Sequence, residues 1–244
     1  DLSSENLEGA QLKRSNLAKV NLKTAILRNS NLEDANLINS NLEKADLARA
    51  SLSNIKLQGS NLEATNLSNS TMRSANISQV NLMRANLSFI DASDSNFSYS
   101  NLSSSDLSNA ILKNTNFKSA ILDKVDLSKA DMGRANLFGA SIKNGKLMNA
   151  NLSNAFMKAA NLSGADLTGA NLSKAKLSTA NLEGANLTNA NLNKANLTRN
   201  IIRVNLKGAN LTGASFIGAN LKGANLSGAN LTGANFTDSN LKKT

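Results

Sequence analysis

The chain has 244 residues, a formal net charge of +10 and 41% apolar content made mostly of Leu and Ala, with seven Phe, one Tyr and no Trp. Pro, Cys and His are all absent, which excludes disulfides, thiolate or imidazole metal sites and the commonest general base together. No apolar run approaches the ~18 residues of a membrane span, and the N-terminus has neither a basic nor an apolar leader region, so the expectation is a soluble protein.

From Leu2 onward an apolar residue recurs at every fifth position, through Leu7, Leu12, Leu17 and Leu22 as far as Leu197, and only Ala92 among these sites lacks a large side chain. Two places before each site stands a small residue, usually Ala or Ser, and one place before stands usually Asn or Asp; Ala160-Asn161-Leu162-Ser163-Gly164 is typical. On an α-helix, successive sites would rotate by ~140° and wind around the rod. On a continuous strand, a step of five would send alternate sites to opposite faces. The remaining solution is a chain that turns a corner once per five residues and points residues i and i−2 inward. Asn or Asp suits such a corner because its short side chain bonds nearby backbone.

The motif resembles the A(D/N)LXX unit of the pentapeptide-repeat proteins, as in Ala185-Asn186-Leu187-Thr188-Asn189 and Ala219-Asn220-Leu221-Lys222-Gly223, and the match runs along essentially the whole chain. The resemblance implies an all-β fold, a right-handed quadrilateral β-helix with four pentapeptides per coil. It would have about 12 coils and, at ~4.8 Å per coil, a length of about 58 Å.

In chain order, the first half mixes Ser, Val20, Ile55, Thr65, Val80, Ile90 and Val125 at the i−2 positions, so an irregular first half is predicted. Ala92 follows Ile90, as if the two volumes were exchanged within one repeat. From Ala150 to Ala195 every i−2 residue is Ala, and a more uniform second half is predicted. Around Thr198 to Val204 the register slips by one residue, and later sites fall at Leu206, Leu211, Phe216 and on to Leu241. This reads as a one-residue deletion absorbed in a corner of a single solenoid over residues 1–244. Neither end shows a capping pattern. The expectation is a fragment of a larger protein or, second, self-association through open ends.

Paired carboxylates such as Glu33 with Asp34 or Asp91 with Asp94 would sit on a convex wall as solvated charge. Without His no Ser-His-Asp arrangement is possible, and no glycine pattern has the context of a phosphate loop. The sequence therefore predicts no enzyme, no cofactor and no metal. The many Asn-Leu-Ser and Asn-Leu-Thr triplets are products of the repeat.

The net charge and the pI near 9.9 point to an acidic partner. Sorting outward residues by face, with four repeats per coil and Ile201 as the first site after the slip, leaves three faces of mixed sign. The fourth carries Lys19, Lys56, Lys118, Lys158, Lys176 and Arg199, with Asp238 as its only acid, and points Ile38, Tyr99, Phe138 and Phe156 outward. Aromatic groups among cations are a composition of binding surfaces, and these ten residues form the candidate partner-binding face.

Three functions follow. The first is a non-enzymatic protein-interaction scaffold, a bacterial cytoplasmic protein or part of an effector delivered to a host cell. The second is protection of a type II topoisomerase by DNA mimicry, which the quinolone-resistance members of the family imply; those rods are acidic and some carry loops, whereas this chain is basic and uninterrupted. The third is non-specific binding of nucleic acid or an anionic surface by the basic face. An ice-binding role would need a ladder of Thr, and Thr reads as scattered.

Overall fold

The computed structural model describes residues 1–197 and 204–244. One five-residue unit explains its architecture. In Ala135-Asn136-Leu137-Phe138-Gly139-Ala140, the Asn136 N–H donates to the Thr115 carbonyl of the preceding coil at 2.9 Å, and the Leu137 and Gly139 N–H groups donate to Phe156 and Lys158 carbonyls of the following coil at 2.8 and 3.0 Å. The Ala140 N–H closes the turn on the Leu137 carbonyl at 3.0 Å. The remaining donor, Phe138 N–H, is capped by the Asn136 side-chain Oδ1 at 3.1 Å. All five N–H groups of the unit thus have acceptors, as buried backbone requires.

Repeated along the chain, this pattern pairs each i−1 residue with the residue 20 positions on in parallel register, from Asn6 with Ile26 to Lys176 with Asn196. Twenty residues hold four units, so a coil has four walls. We number them by their inward residues, the first by Leu22, the second by Leu27, the third by Leu32 and the fourth by Leu37. Among the described residues successive coils meet along each wall through isolated parallel bridges and no continuous strand, because only one residue per unit lies between two corners.

Each corner also demands a left-handed residue at i+2, where φ lies between 54° and 75°. Gly139 meets this at φ 65° without strain, whereas Phe89 at φ 58° and Tyr99 at φ 61° place bulky side chains in a region that costs roughly 1–2 kcal/mol for an L-residue.

The core is a narrow column of stacked Leu and Ala. Leu at i and the small residue at i−2 are buried in almost every coil, each large side chain contributing ~1.5–3 kcal/mol before ordering entropy. Ala92 and Ile90 are both fully buried, in keeping with an exchange of volume between the two positions. Phe97 and Phe117 stack inside the fourth wall with ring centroids 5.1 Å apart. Ser at i−2 is satisfied by backbone: Ser60 Oγ donates to the Leu37 carbonyl at 2.6 Å and accepts the Ser40 N–H at 3.0 Å. Core contact weakens at both ends, where Leu2, Leu7 and Leu226 are only partly buried and Leu231 and Leu241 are each 41% exposed.

The register slip is resolved by the pairing on either side of it. Asn181 pairs with Asn205, Asn186 with Asn210, Asn191 with Ser215 and Asn196 with Asn220, each 24 residues apart, after which the spacing returns to 20. The coil therefore carries four additional residues between Leu197 and Val204 rather than one fewer. A gain of four and a loss of one shift a five-residue register identically, but they differ by one whole wall. Everything after the slip lies one wall away from where a deletion would put it.

The inward and outward assignment has a direct check by chemical denaturation. Leu112 is fully buried, whereas Lys113 is outward and paired with Asp131 at 3.1 Å. Leu112→Lys should destabilise by ~4 kcal/mol or more, since it buries an unpaired charge, and Lys113→Ser should change stability by less than about 1 kcal/mol. Equal losses would overturn the assignment.

Candidate functional site

The fourth wall, followed through the bridges, runs along Leu17, Leu37 and each twentieth residue to Leu197, then to Leu221 and Leu241. Of the sequence-predicted residues, Lys19, Lys56, Tyr99, Lys118, Phe156 and Lys176 are exposed on it, and Ile38, Phe138 and Lys158 are half-buried. Arg199 lies outside the described residues. Asp238 does not belong to this wall: its repeat is built on Phe236, and Asn235 pairs with Ser215 on the third wall. In its place the four added residues bring Lys222, Lys242 and Lys243 onto the fourth wall.

The consequence is a wall with no acid. Of the 17 acidic residues in the chain, the first, second and third walls carry five, five and six outward, and Glu5 takes an i−2 position. Several cations of those walls pair with these acids, as Lys23 with Glu43 at 3.0 Å, Arg28 with Asp46 at 2.5 Å and Lys113 with Asp131 at 3.1 Å. The carboxylates that stand close in sequence are engaged too: Glu33 pairs with Lys13, Asp34 with Arg14 and Asp91 with Arg73. Burial pushes the Asp91 carboxyl up, but hydrogen bonds from Arg73 and Ser93 outweigh it and hold it below the usual carboxylate range.

On the fourth wall the lysines meet aromatic rings instead. Lys118 Nζ lies 5.8 Å from the Tyr99 ring centroid, and Lys158 Nζ lies 5.7 Å from that of Phe138. Phe138 and Phe156 stack in adjacent coils at 5.9 Å with planes 10° apart. Tyr99 is 55% exposed.

The wall also departs from the hydrogen-bonding rule of the coil. At i−1 it carries Lys56, Phe156 and Lys176 where the repeat wants Asn or Asp, so the N–H groups of Gln58, Lys158 and Ser178 lose their side-chain cap. Asn ladders such as Asn136 Nδ2 to Asn116 Oδ1 at 3.1 Å stop at Phe156. Other walls also depart from Asn or Asp at i−1, as at Ile111 and Lys146; on the fourth wall the replacements are lysines and a ring.

A second column emerges only from the corrected register. Thr168, Thr188, Thr212 and Thr232 stand in successive coils of the second wall, so these Thr are aligned rather than scattered. Each hydroxyl donates to the Asn or Asp of its own repeat at 2.6–2.7 Å. Those of Thr168 and Thr188 also accept an Asn Nδ2 from the next coil, at 2.9 and 3.0 Å. The hydroxyls of this outward column are already engaged within the coils.

A four-walled parallel solenoid of five-residue units, with one acid-free wall that gathers lysines and rings at outward positions, defines a repeat protein that offers surfaces for contact. A family model described as Pentapeptide repeats (8 copies) matches residues 6–43, 25–63, 50–88, 60–98, 100–139, 122–154, 146–184, 177–203 and 205–242. The chain belongs to the pentapeptide-repeat family. No curated protein matches it. Among solved structures it is similar to HetL, a pentapeptide repeat protein involved in heterocyst differentiation regulation from the cyanobacterium Nostoc sp. strain PCC 7120, with 28% identity over 96% of this chain and 88% of that one and a TM-score of 0.42. It is also similar to trypsin-treated QnrB1, a plasmid-mediated fluoroquinolone resistance protein, with 18% identity over 76% of this chain and 91% of that one and a TM-score of 0.55. The latter likeness is one of fold. No helix among the described residues is long and apolar enough to cross a membrane.

If the wall has exchanged backbone caps for surface chemistry, restoring a cap should strengthen the fold. Lys56→Asn, which would cap the Gln58 N–H, should raise unfolding free energy by about 0.5–1.5 kcal/mol in urea melts. A loss of stability would show that Lys56 serves the coil itself.

Proposed function

We propose that the protein is a non-enzymatic interaction scaffold, a right-handed quadrilateral β-helix of about 12 coils whose fourth wall holds an anionic partner. The observation that carries this reading is the absence of every acidic side chain from one wall of a chain that has 17 of them. Carboxylates there would repel an anionic partner and compete for the lysines, so their removal over the full length serves recognition, whereas net charge alone would be met by extra lysines anywhere. The backbone ladder of the coils holds the wall in one shape before the partner arrives, which limits the ordering entropy of association. QnrB1 shares the fold, but its role as a fluoroquinolone resistance protein does not carry over on fold alone.

Two charge-reversed variants of equal net charge separate the wall from the bulk charge. Lys118→Glu, Lys158→Glu and Lys176→Glu together alter the fourth wall; Lys124→Glu, Lys129→Glu and Lys174→Glu alter the first, second and third. On a heparin column the first triple variant should elute at much lower salt than the native protein, and the second close to it. Matching shifts would mean that net charge, not this wall, attracts anions.

A further inference from the structure

The acid-free wall has a finer pattern along the rod, and it identifies the chemistry of the anion. In five successive coils the outward side chains are Tyr99, then Lys118, then Phe138, then Phe156 with Lys158, then Lys176, so rings and cations interleave at steps of about 4.8 Å. Lysines continue beyond this centre in both directions, at Lys19 and Lys56 and at Lys222, Lys242 and Lys243. A compact acidic patch on a protein would need only a local cluster. Cations over the whole length, with no carboxylate among them, suit a linear polyanion whose charge repeats along its own backbone.

The Tyr99 ring adds a second requirement. Lys118 approaches it from the following coil, and from the preceding coil a hollow of about 320 Å³ opens beside it, lined by Gln79, Val80, Asn81, Met83, Tyr99 and Asn101. The Tyr99 ring, the Met83 thioether and the Gln79 amide make a site for a flat group with hydrogen-bonding edges, whereas the Asn81 amide and the Asn101 Oδ1 are already engaged within the coils. Glu63, on the first wall one coil before Asn81, is paired with Arg84 and accepts from Asn81 Nδ2, so its charge is already engaged. Acidic peptide side chains supply charge but not a planar ring edged with donors and acceptors. A nucleobase supplies both faces of that description, and in a single strand it is free to leave its neighbours.

We infer that the fourth wall binds single-stranded nucleic acid without sequence preference, its phosphates following the lysines and one base stacking on Tyr99 in this hollow. The combination of a cationic track with sequence-tolerant aromatic stacking is the general solution for single strands. The wall consists of short segments between corners, with no projecting element among the described residues that could enter a groove, so duplex binding is weaker and purely electrostatic. This inference rests on the scaffold reading above and specifies its partner.

The test is fluorescence anisotropy with a labelled oligothymidylate long enough to span the wall, beside a labelled duplex and labelled polyglutamate, at several salt concentrations. The oligothymidylate should bind more tightly than the duplex or polyglutamate, with a log–log salt slope of about −4 if five or six lysines neutralise phosphates. Tyr99→Gly leaves the positive-φ corner with the residue that suits it best, so the fold is retained, and the affinity for oligothymidylate should fall on the order of tenfold or more while polyglutamate binding is unchanged. The Lys118, Lys158 and Lys176 charge-reversal variant should lose binding of all three probes. Polyglutamate binding through the wall with no oligothymidylate binding would overturn this inference and leave the scaffold reading standing. An intact affinity for oligothymidylate in Tyr99→Gly would overturn the stacking role, and binding of every probe that survives the lysine reversals would overturn both readings.

Discussion

The structure depends on one constraint: a chain that turns a corner every five residues must still find an acceptor for each backbone N–H. Three donors of the unit are satisfied between coils, one by the turn and one by the side chain at i−1. The last of these is the only one the amino-acid sequence can withhold. Asn or Asp at i−1 is therefore part of the backbone's hydrogen bonding as much as a surface residue, and the Leu at i and small residue at i−2 fill the interior it encloses. Three of five positions are committed to the coil, and the chain writes its individuality at i+1, at i+2 and in the exceptions at i−1.

This division explains where local energetics and surface chemistry conflict. The left-handed i+2 corner suits Gly, which supplies it at Gly139 and in most repeats after the slip, yet Tyr99 occupies it with a large exposed ring. Lys56, Phe156 and Lys176 replace the capping Asn. Each substitution is locally unfavourable by roughly 1 kcal/mol, tolerable in a ladder where neighbouring coils over-determine the backbone. These exceptions fall on the wall from which acids are missing. Exceptions at i−1 also occur on other walls, as at Ile111 and Lys146, so the argument lies in their coincidence with the charge pattern and the rings rather than in their number.

The five-residue period and the identity of the inward residues were legible from the sequence because steric and hydrogen-bonding demands repeat without interruption. The face that carries Tyr99, Lys118, Phe138 and Phe156 was legible for the same reason, since counting by 20 is reliable while every coil is complete. What the sequence could not distinguish was a loss of one residue from a gain of four around 198–203, because both restore the same inward pattern. That ambiguity placed Asp238 on the wrong wall, hid Lys222, Lys242 and Lys243 from the right one and dispersed an aligned column of Thr. The capping by Asn side chains was foreseeable in kind, whereas the lysine–ring contacts at Tyr99 and Phe138 depend on side-chain directions that spacing does not supply.

The choice of lysine on this wall bears on how the proposed partner would be held. Arginine would offer fixed bidentate geometry and select particular phosphate or carboxylate orientations. A lysine ammonium is a mobile point charge on a long stem, and Lys118 and Lys158 lay theirs near aromatic faces. Such a surface attracts negative charge without dictating its spacing, so a rigid scaffold with a coil repeat of about 4.8 Å can accommodate a partner whose own repeat differs. The rigidity of the coil and the looseness of the lysines are complementary: in the proposed complex the backbone would set the direction of a bound chain, and the side chains would absorb the mismatch along it.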